Sequence, residues 1–146
     1  MALVYLVPMR TQELRANDNA VFRLFLHLVL VTKYRRRVLS PPVLERCASI
    51  LRQTAEAWGC SVVECQGEAD HVHLLLEVLP KVCPSNLVNN LKTVSSRRLR
   101  SEFPQLRAAY RGKPVLWSPS YCLISAGGAP IEILRRYIEN QDSERA

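Results

Sequence analysis

Between residues 21 and 79 the spacing of apolar residues switches from every second position to a helical period and back. In "VFRLFLHLVLV" (21–31) Phe22, Leu24, Leu26, Leu28 and Leu30 alternate, which predicts a strand with one buried face. Val43, Leu44, Cys47, Ile50, Leu51, Thr54 and Trp58 then keep the helical period, with Ser40 as cap, Pro41 in the first position and Gly59 as the stop. Residues 61–66 and 71–79 return to period two around the turn "GEAD". Leu87, Val88, Leu91, Val94 and Leu99 mark a second helix that Ser85 caps. A loop rich in Pro and Arg crosses 101–114. "VLWSPSYCLIS" (115–125) reads as one or two strands broken near Pro119, and after a Gly127-Gly128 hinge Pro130 opens a third helix, "PIEILRRYIENQ".

The order strand, helix, strand, strand, helix, strand, helix predicts an α+β fold, a ferredoxin-like or RRM-like antiparallel sheet with helices packed on it. Residues 21–146 form one domain in this scheme. Residues 1–20 are an N-terminal extension, either loose or holding a first strand whose partner the sequence does not name. A chain of 146 residues, 48% apolar and 23% charged, supports one core rather than a disordered segment. Five cysteines, Cys47, Cys60, Cys65, Cys83 and Cys122, are odd in number and contain no C-x-x-C, so free thiols in a reducing compartment are expected in place of disulfides or a structural zinc site. No apolar run is long enough to span a bilayer, and "MALVYLVPM" lacks the parts of a signal peptide, so a cytoplasmic chain with no membrane partner is expected.

Inside the strand "DHVHLLLEV" (70–78), His71 and His73 share a face with Leu75 and Glu77, opposite Val72, Leu74, Leu76 and Val78. Two imidazoles two residues apart on a strand can hold one cation, although an H-x-H also arises by chance and one histidine can satisfy a core hydrogen bond. A third ligand has to come from elsewhere. On the third helix Tyr137 and Gln141 are four apart and lie beside the stripe of Ile131, Leu134 and Ile138. An amide oxygen suits a hard metal and a tyrosine hydroxyl suits a nucleophile. From spacing alone, Tyr137 as a packing residue and Gln141 as a solvated one is the favoured reading.

The net charge is +7, from 20 Lys and Arg against 13 Asp and Glu, which points to a polyanion. The basic residues fall in three groups. Lys33, Arg35, Arg36 and Arg37 follow the first strand; Lys92, Arg97, Arg98 and Arg100 ride the second helix; Arg107, Arg111 and Lys113 sit in the next loop. Tyr34, Tyr110 and Trp117 are interleaved, as in grooves that bind single strands. Any one group alone is an ordinary solvated face.

H-x-H on a central strand with a lone tyrosine on a later helix resembles the HUH single-tyrosine transposases of small bacterial insertion sequences, the IS200-like TnpA family. Four further blocks resemble it in order: "HLVLVTKYRRRVL" (27–39), "LVNNLKTVSSRRLRSEFP" (87–104), "LWSPSYCLIS" and "YIENQ". The resemblance covers about residues 20 to 142. It implies that His71, His73 and Gln141 are metal ligands and that Tyr137 is the nucleophile. It implies Mg²⁺ as cofactor, with Mn²⁺ tolerated. It implies a homodimer acting on single-stranded DNA with hairpin ends, cleaving and rejoining it through a 5′-phosphotyrosine to excise and insert an insertion sequence. Lys33, Tyr34, Arg35, Arg36, Arg37, Lys92, Arg97, Arg98 and Arg100 are the expected DNA contacts. The competing expectations are a domesticated relative acting on palindromic repeats, a non-catalytic nucleic-acid-binding module, and a small metal-dependent hydrolase in which Tyr137 only packs.

Overall fold

The period-two stretches form the sheet and the helical-period stretches cover one side of it. The computed structural model describes residues 2–6, 15–16, 21–126 and 138–140. In chain order these are β1 (Ala2–Leu6), β2 (Arg15–Ala16), β3 (Val21–Phe22), β4 (Leu24–Val31), a 3₁₀ turn (Lys33–Arg35), α1 (Pro41–Ala57), β5 (Ser61–Glu68), β6 (His71–Val78), α2 (Pro84–Glu102), α3 (Pro104–Ala109) and β7 (Cys122–Ser125). Five strands make one antiparallel sheet in the order β1-β5-β6-β4-β7, and β2 pairs with β3 separately. Without β1, the order β5-β6-β4-β7 is that of a ferredoxin-like sheet. β1 adds to it along the outer edge of β5, with a register shift between Leu3 and Tyr5.

β6 shows why the helices lie where they do. Val72, Leu74, Leu76 and Val78 are buried in one cluster with Leu28 and Leu30 of β4, with Val43, Cys47, Ile50 and Leu51 of α1, and with Leu87, Val88, Leu91 and Leu99 of α2. Each such aliphatic side chain taken from water contributes about 1.5–3 kcal/mol, so the face is strongly specified. α1 ends in a Schellman turn: Gly59 N–H donates to Glu56 C=O at 2.9 Å and Cys60 N–H to Ala55 C=O at 3.0 Å. Gly59 has φ +74°, a conformation that costs glycine little. All five cysteines are free thiols, and burial pushes the Cys65 thiol up to about 12.

Several boundaries differ from the expected ones. α2 starts at Pro84, with Cys83 at the cap position and Ser85 already inside, because the fixed φ of proline suits the first helical position. The expected loop 101–114 contains α3, anchored by the fully buried Leu106. In 115–125 only Cys122–Ser125 is a strand. Trp117 makes an isolated bridge to Thr32, while its indole N–H donates to Ser95 Oγ at 2.9 Å, and Pro119 cannot donate to a ladder. Of the expected third helix, residues 138–140 are described and helical; Gly127-Gly128 lies outside the described residues. Among the described residues no helix is long and apolar enough to cross a membrane.

Candidate metal centre and nucleic-acid interface

Directly paired residues of an antiparallel sheet share a face. Three rows therefore lie on the side away from α1 and α2: Val31, His71 and Glu68; Cys122, Val29, His73 and Gln66; Ile124, His27, Leu75 and Glu64. Ile138 packs on Val29 and Val31 together with Cys122 and Ile124. The segment that follows Tyr137 is thus seated on the histidine face.

His71 is only 4% exposed. Its Nδ1 lies 2.8 Å from Asp70 Oδ1, and the other carboxylate oxygen accepts from Arg35 Nε at 3.0 Å. Burial works to raise the pKa of Asp70, but hydrogen bonds and charge from His71 and Arg35 outweigh it and hold the carboxyl below its ordinary range. Asp70 is then an acceptor only, so His71 Nδ1 carries a hydrogen, and in the neutral imidazole that tautomer leaves the lone pair on Nε2. That Nε2 is buried and has no hydrogen-bond partner among the described residues. A carboxylate on one ring nitrogen with the other left open is how metal-binding histidines are oriented.

His73 is placed differently. Its Nε2 lies 2.9 Å from Nδ1 of His27, with ring centroids 5.0 Å apart. Burial, then the neighbouring His27 and His71, push its pKa down to about 4. Burial also lowers His27, partly offset by Glu64. Both rings are neutral at pH 7, and one N–H donates to the other. For His73 to ligate through Nε2, this bond has to give way.

Among the described residues, Glu68, Asp70 and His71 bring ligand-type atoms within 4.8 Å of one another. Both Asp70 oxygens are committed, to His71 Nδ1 and to Arg35, so Asp70 orients the ring, and Nε2 on its other side is the donor that fits a divalent cation. Sequence reasoning missed Glu68 and Asp70. The signal was available: Glu68 and Asp70 flank Ala69 in a two-residue hairpin turn, which puts Glu68 directly opposite His71. Tyr137 and Gln141 lie outside the described residues.

The loop after β4 is tightly folded. Tyr34 and Arg35 have φ of 60° and 52°, a left-handed conformation costing roughly 1–2 kcal/mol per non-glycine residue. Thr32 compensates: its Oγ1 donates to Arg36 C=O at 2.7 Å and Asp70 C=O at 3.1 Å. Arg36 turns the other way, to Ala109 C=O and over the rings of Tyr34 and Tyr110. Tyr34, Arg36, Tyr110, Arg111, Lys113 and Val115 line one depression. Lys92, Arg97 and Arg100 line an adjoining groove against residues 114–117, including Trp117. One residue or more from each of the three basic groups thus meets along residues 110–117, with aromatic rings between them. Neither groove contains a histidine. Arg37 and Arg98 line neither, Lys33 sits over the Tyr34 ring, and Arg35 is turned to Asp70.

Residues 20–141 match the family described as transposase IS200 like. The chain belongs to the IS200-like transposase family. It is 35% identical to the ISDra2 transposase TnpA of Deinococcus radiodurans over 129 residues, 88% of this chain and 91% of that one. It is 33% identical to the transposase for insertion sequence element IS200 of Salmonella typhimurium over 118 residues, 81% and 76% of the two chains. A crystal structure of a candidate transposase from Deinococcus radiodurans superposes with a TM-score of 0.80 at 36% identity, covering 87% of this chain and 97% of that one. A REP-associated tyrosine transposase bound to a REP hairpin shares the fold, with a TM-score of 0.50 at 8% identity over 86% and 68% of the two chains. The IS200-like chain is therefore a DNA-processing enzyme of insertion-sequence transposition, built on the α+β sheet of these structures.

Proposed function

We propose that this transposase cleaves and rejoins single-stranded DNA through a covalent 5′-phosphotyrosine, with Tyr137 as nucleophile. A divalent cation, Mg²⁺ with Mn²⁺ as a substitute, is held by His71, His73 and Gln141. The observation that carries this is the buried Nε2 of His71, unpartnered among the described residues, on the face where Ile138 brings the chain next to Tyr137 down onto the sheet. When bound, the cation polarises the scissile phosphate as a Lewis acid. Asp70 keeps the hydrogen on Nδ1 of His71 and so the lone pair on Nε2.

In the chemical step the Tyr137 oxygen attacks phosphorus. The Oη–P bond forms, the P–O3′ bond breaks, the phenol proton passes to solvent, and the 3′ oxygen leaves and is protonated. A free tyrosine has a pKa of about 10, so that proton leaves during the attack. Attack by a second 3′-OH reverses the step onto a new partner. One diester is exchanged for another, and no ATP is consumed. The basic grooves along 110–117 suit the phosphate backbone of single-stranded DNA with hairpin ends, with Trp117 and Tyr110 beside them. The fold shared with a transposase bound to a hairpin supports hairpin ends, and the homodimer rests on the family resemblance alone. Identity of 33–35% to relatives named for insertion sequences, against 8% to the REP-associated protein, favours the insertion-sequence role over a domesticated one.

The test uses labelled single-stranded oligonucleotides from the element's two ends, with protein and with or without Mg²⁺ or Mn²⁺, resolved on a denaturing gel. A metal-dependent protein–DNA adduct, absent with Tyr137→Phe and with duplex DNA, is expected. Binding with no adduct under any metal would establish a non-catalytic module, and cleavage with no adduct a hydrolase.

A further inference from the structure

Arg35 belongs to the basic loop that sequence assigns to DNA, yet its guanidinium points into the protein. Nε donates to Asp70 Oδ2 at 3.0 Å, and one terminal nitrogen reaches the backbone carbonyl of Glu139 at 3.4 Å. The first contact fixes the carboxylate that orients His71. The second holds the helical segment two residues beyond Tyr137. Two consecutive left-handed residues, Tyr34 and Arg35, turn the side chain this way, and the fully buried Thr32 clamps the same loop to the Asp70 carbonyl from the other side. A planar fork with several fixed N–H groups can serve two acceptors in different directions, which a lysine ammonium does less well.

We propose that Arg35 is a positioning residue that couples the metal-binding histidine to the tyrosine-bearing segment. Resting on the metal reading of His71 given above, the coupling makes cation binding and seating of residues 138–140 favour each other. Linkage requires this to be reciprocal: whatever the seated segment adds to cation affinity, the cation adds to seating. The role is distinct from holding DNA, and is tested without DNA.

The experiment measures Mn²⁺ affinity by titration calorimetry and amide hydrogen exchange at residues 138–140, on the full chain, with Mn²⁺ or EDTA. In the wild type Mn²⁺ should slow exchange at 138–140. Arg35→Gln should weaken Mn²⁺ binding about 10–100-fold, the range for lost supporting contacts around metal ligands. It should also speed exchange at 138–140 in EDTA and abolish its response to Mn²⁺. Arg35→Lys should restore part of the affinity but not that response. Asp70→Asn should weaken Mn²⁺ binding while leaving exchange in EDTA near wild type, which also serves if Arg35→Gln folds poorly. Arg35→Gln with wild-type affinity and a retained exchange response overturns the proposal. A wild type that binds no Mn²⁺, or binds it equally after His71→Gln, overturns the metal reading itself and the coupling with it; the His71→Gln control tells the two failures apart.

Discussion

His73 Nε2 and His27 Nδ1 are 2.9 Å apart, a hydrogen bond between two neutral imidazoles on neighbouring strands. Burial of His73, with the neighbouring His27 and His71 adding to it, gives the metal-free protein a pH dependence. The folded state holds His73 at about 4 against an ordinary 6.5, so between these values the unfolded chain binds more protons. Stability is full above about pH 6.5 and falls on acidification toward 4. Urea midpoints of EDTA-treated protein at pH 7.5 and 5.0 should differ in that sense, and less so in His73→Gln. Equal pH dependence in both proteins would assign the loss to other groups.

The orphaned Nε2 of His71 predicts stabilisation by cation. At a free concentration about 100 times Kd, a ligand that binds only the folded state contributes about 2.7 kcal/mol. Thermal melts should show Mn²⁺ raising Tm in the wild type but not in His71→Gln. A wild type whose melt ignores Mn²⁺ would count against this nitrogen as a donor.

Adjacent leucines of β6 should respond unequally to truncation. Leu74 is fully buried under the helices, and Leu74→Ala should cost about 2–5 kcal/mol. Leu75 lies half-buried on the histidine face, and Leu75→Ala should cost about 1 kcal/mol. Chemical denaturation of both decides, and equal losses would contradict the two faces.

Lys92 and Arg97 line one groove but should separate in experiment. Arg97 is exposed, and Arg97→Ala should reduce the slope of log affinity against log salt for single-stranded DNA by about 1 while leaving Tm unchanged. Lys92 Nζ also donates to the carbonyls of Ser118 and Pro119, at 2.8 and 3.0 Å. Lys92→Ala should therefore lose about 1 kcal/mol of stability in addition to affinity. Indistinguishable effects on Tm would refute that division.

The period of the apolar residues was enough to read α1, β5 and β6 and to place β4, although β4 also buries Val29 and Val31 on the histidine face, which its alternation does not record. It was not enough for α3, where a single turn anchored by Leu106 leaves no repeat to detect. Nor could it show that β1 completes the β5 edge, since pairing between residues 2–6 and 64–67 is a long-range choice. His71 and His73 were visible as a shared face, but Asp70 and Glu68 were not. Their nearness to His71 comes from a hairpin turn, not from a period. His27 was hidden for the opposite reason: it sits inside an alternating strand where any residue on the outer face looks alike. Arg35 was read by its charge, and only the left-handed turn at Tyr34 and Arg35 redirects it.

The two-residue hairpin at Ala69 and Asp70 sets how this gene can tolerate length changes. Register in β6 is counted from that turn, and side chains alternate faces along it. One codon gained or lost between Gly67 and His71 would rotate the whole strand by one position. Val72 and Leu74 would exchange places with His71 and His73, emptying the core and the candidate metal site together. Point substitutions in this stretch act on one side chain at a time, whereas an in-frame indel there should disturb both faces of β6 at once.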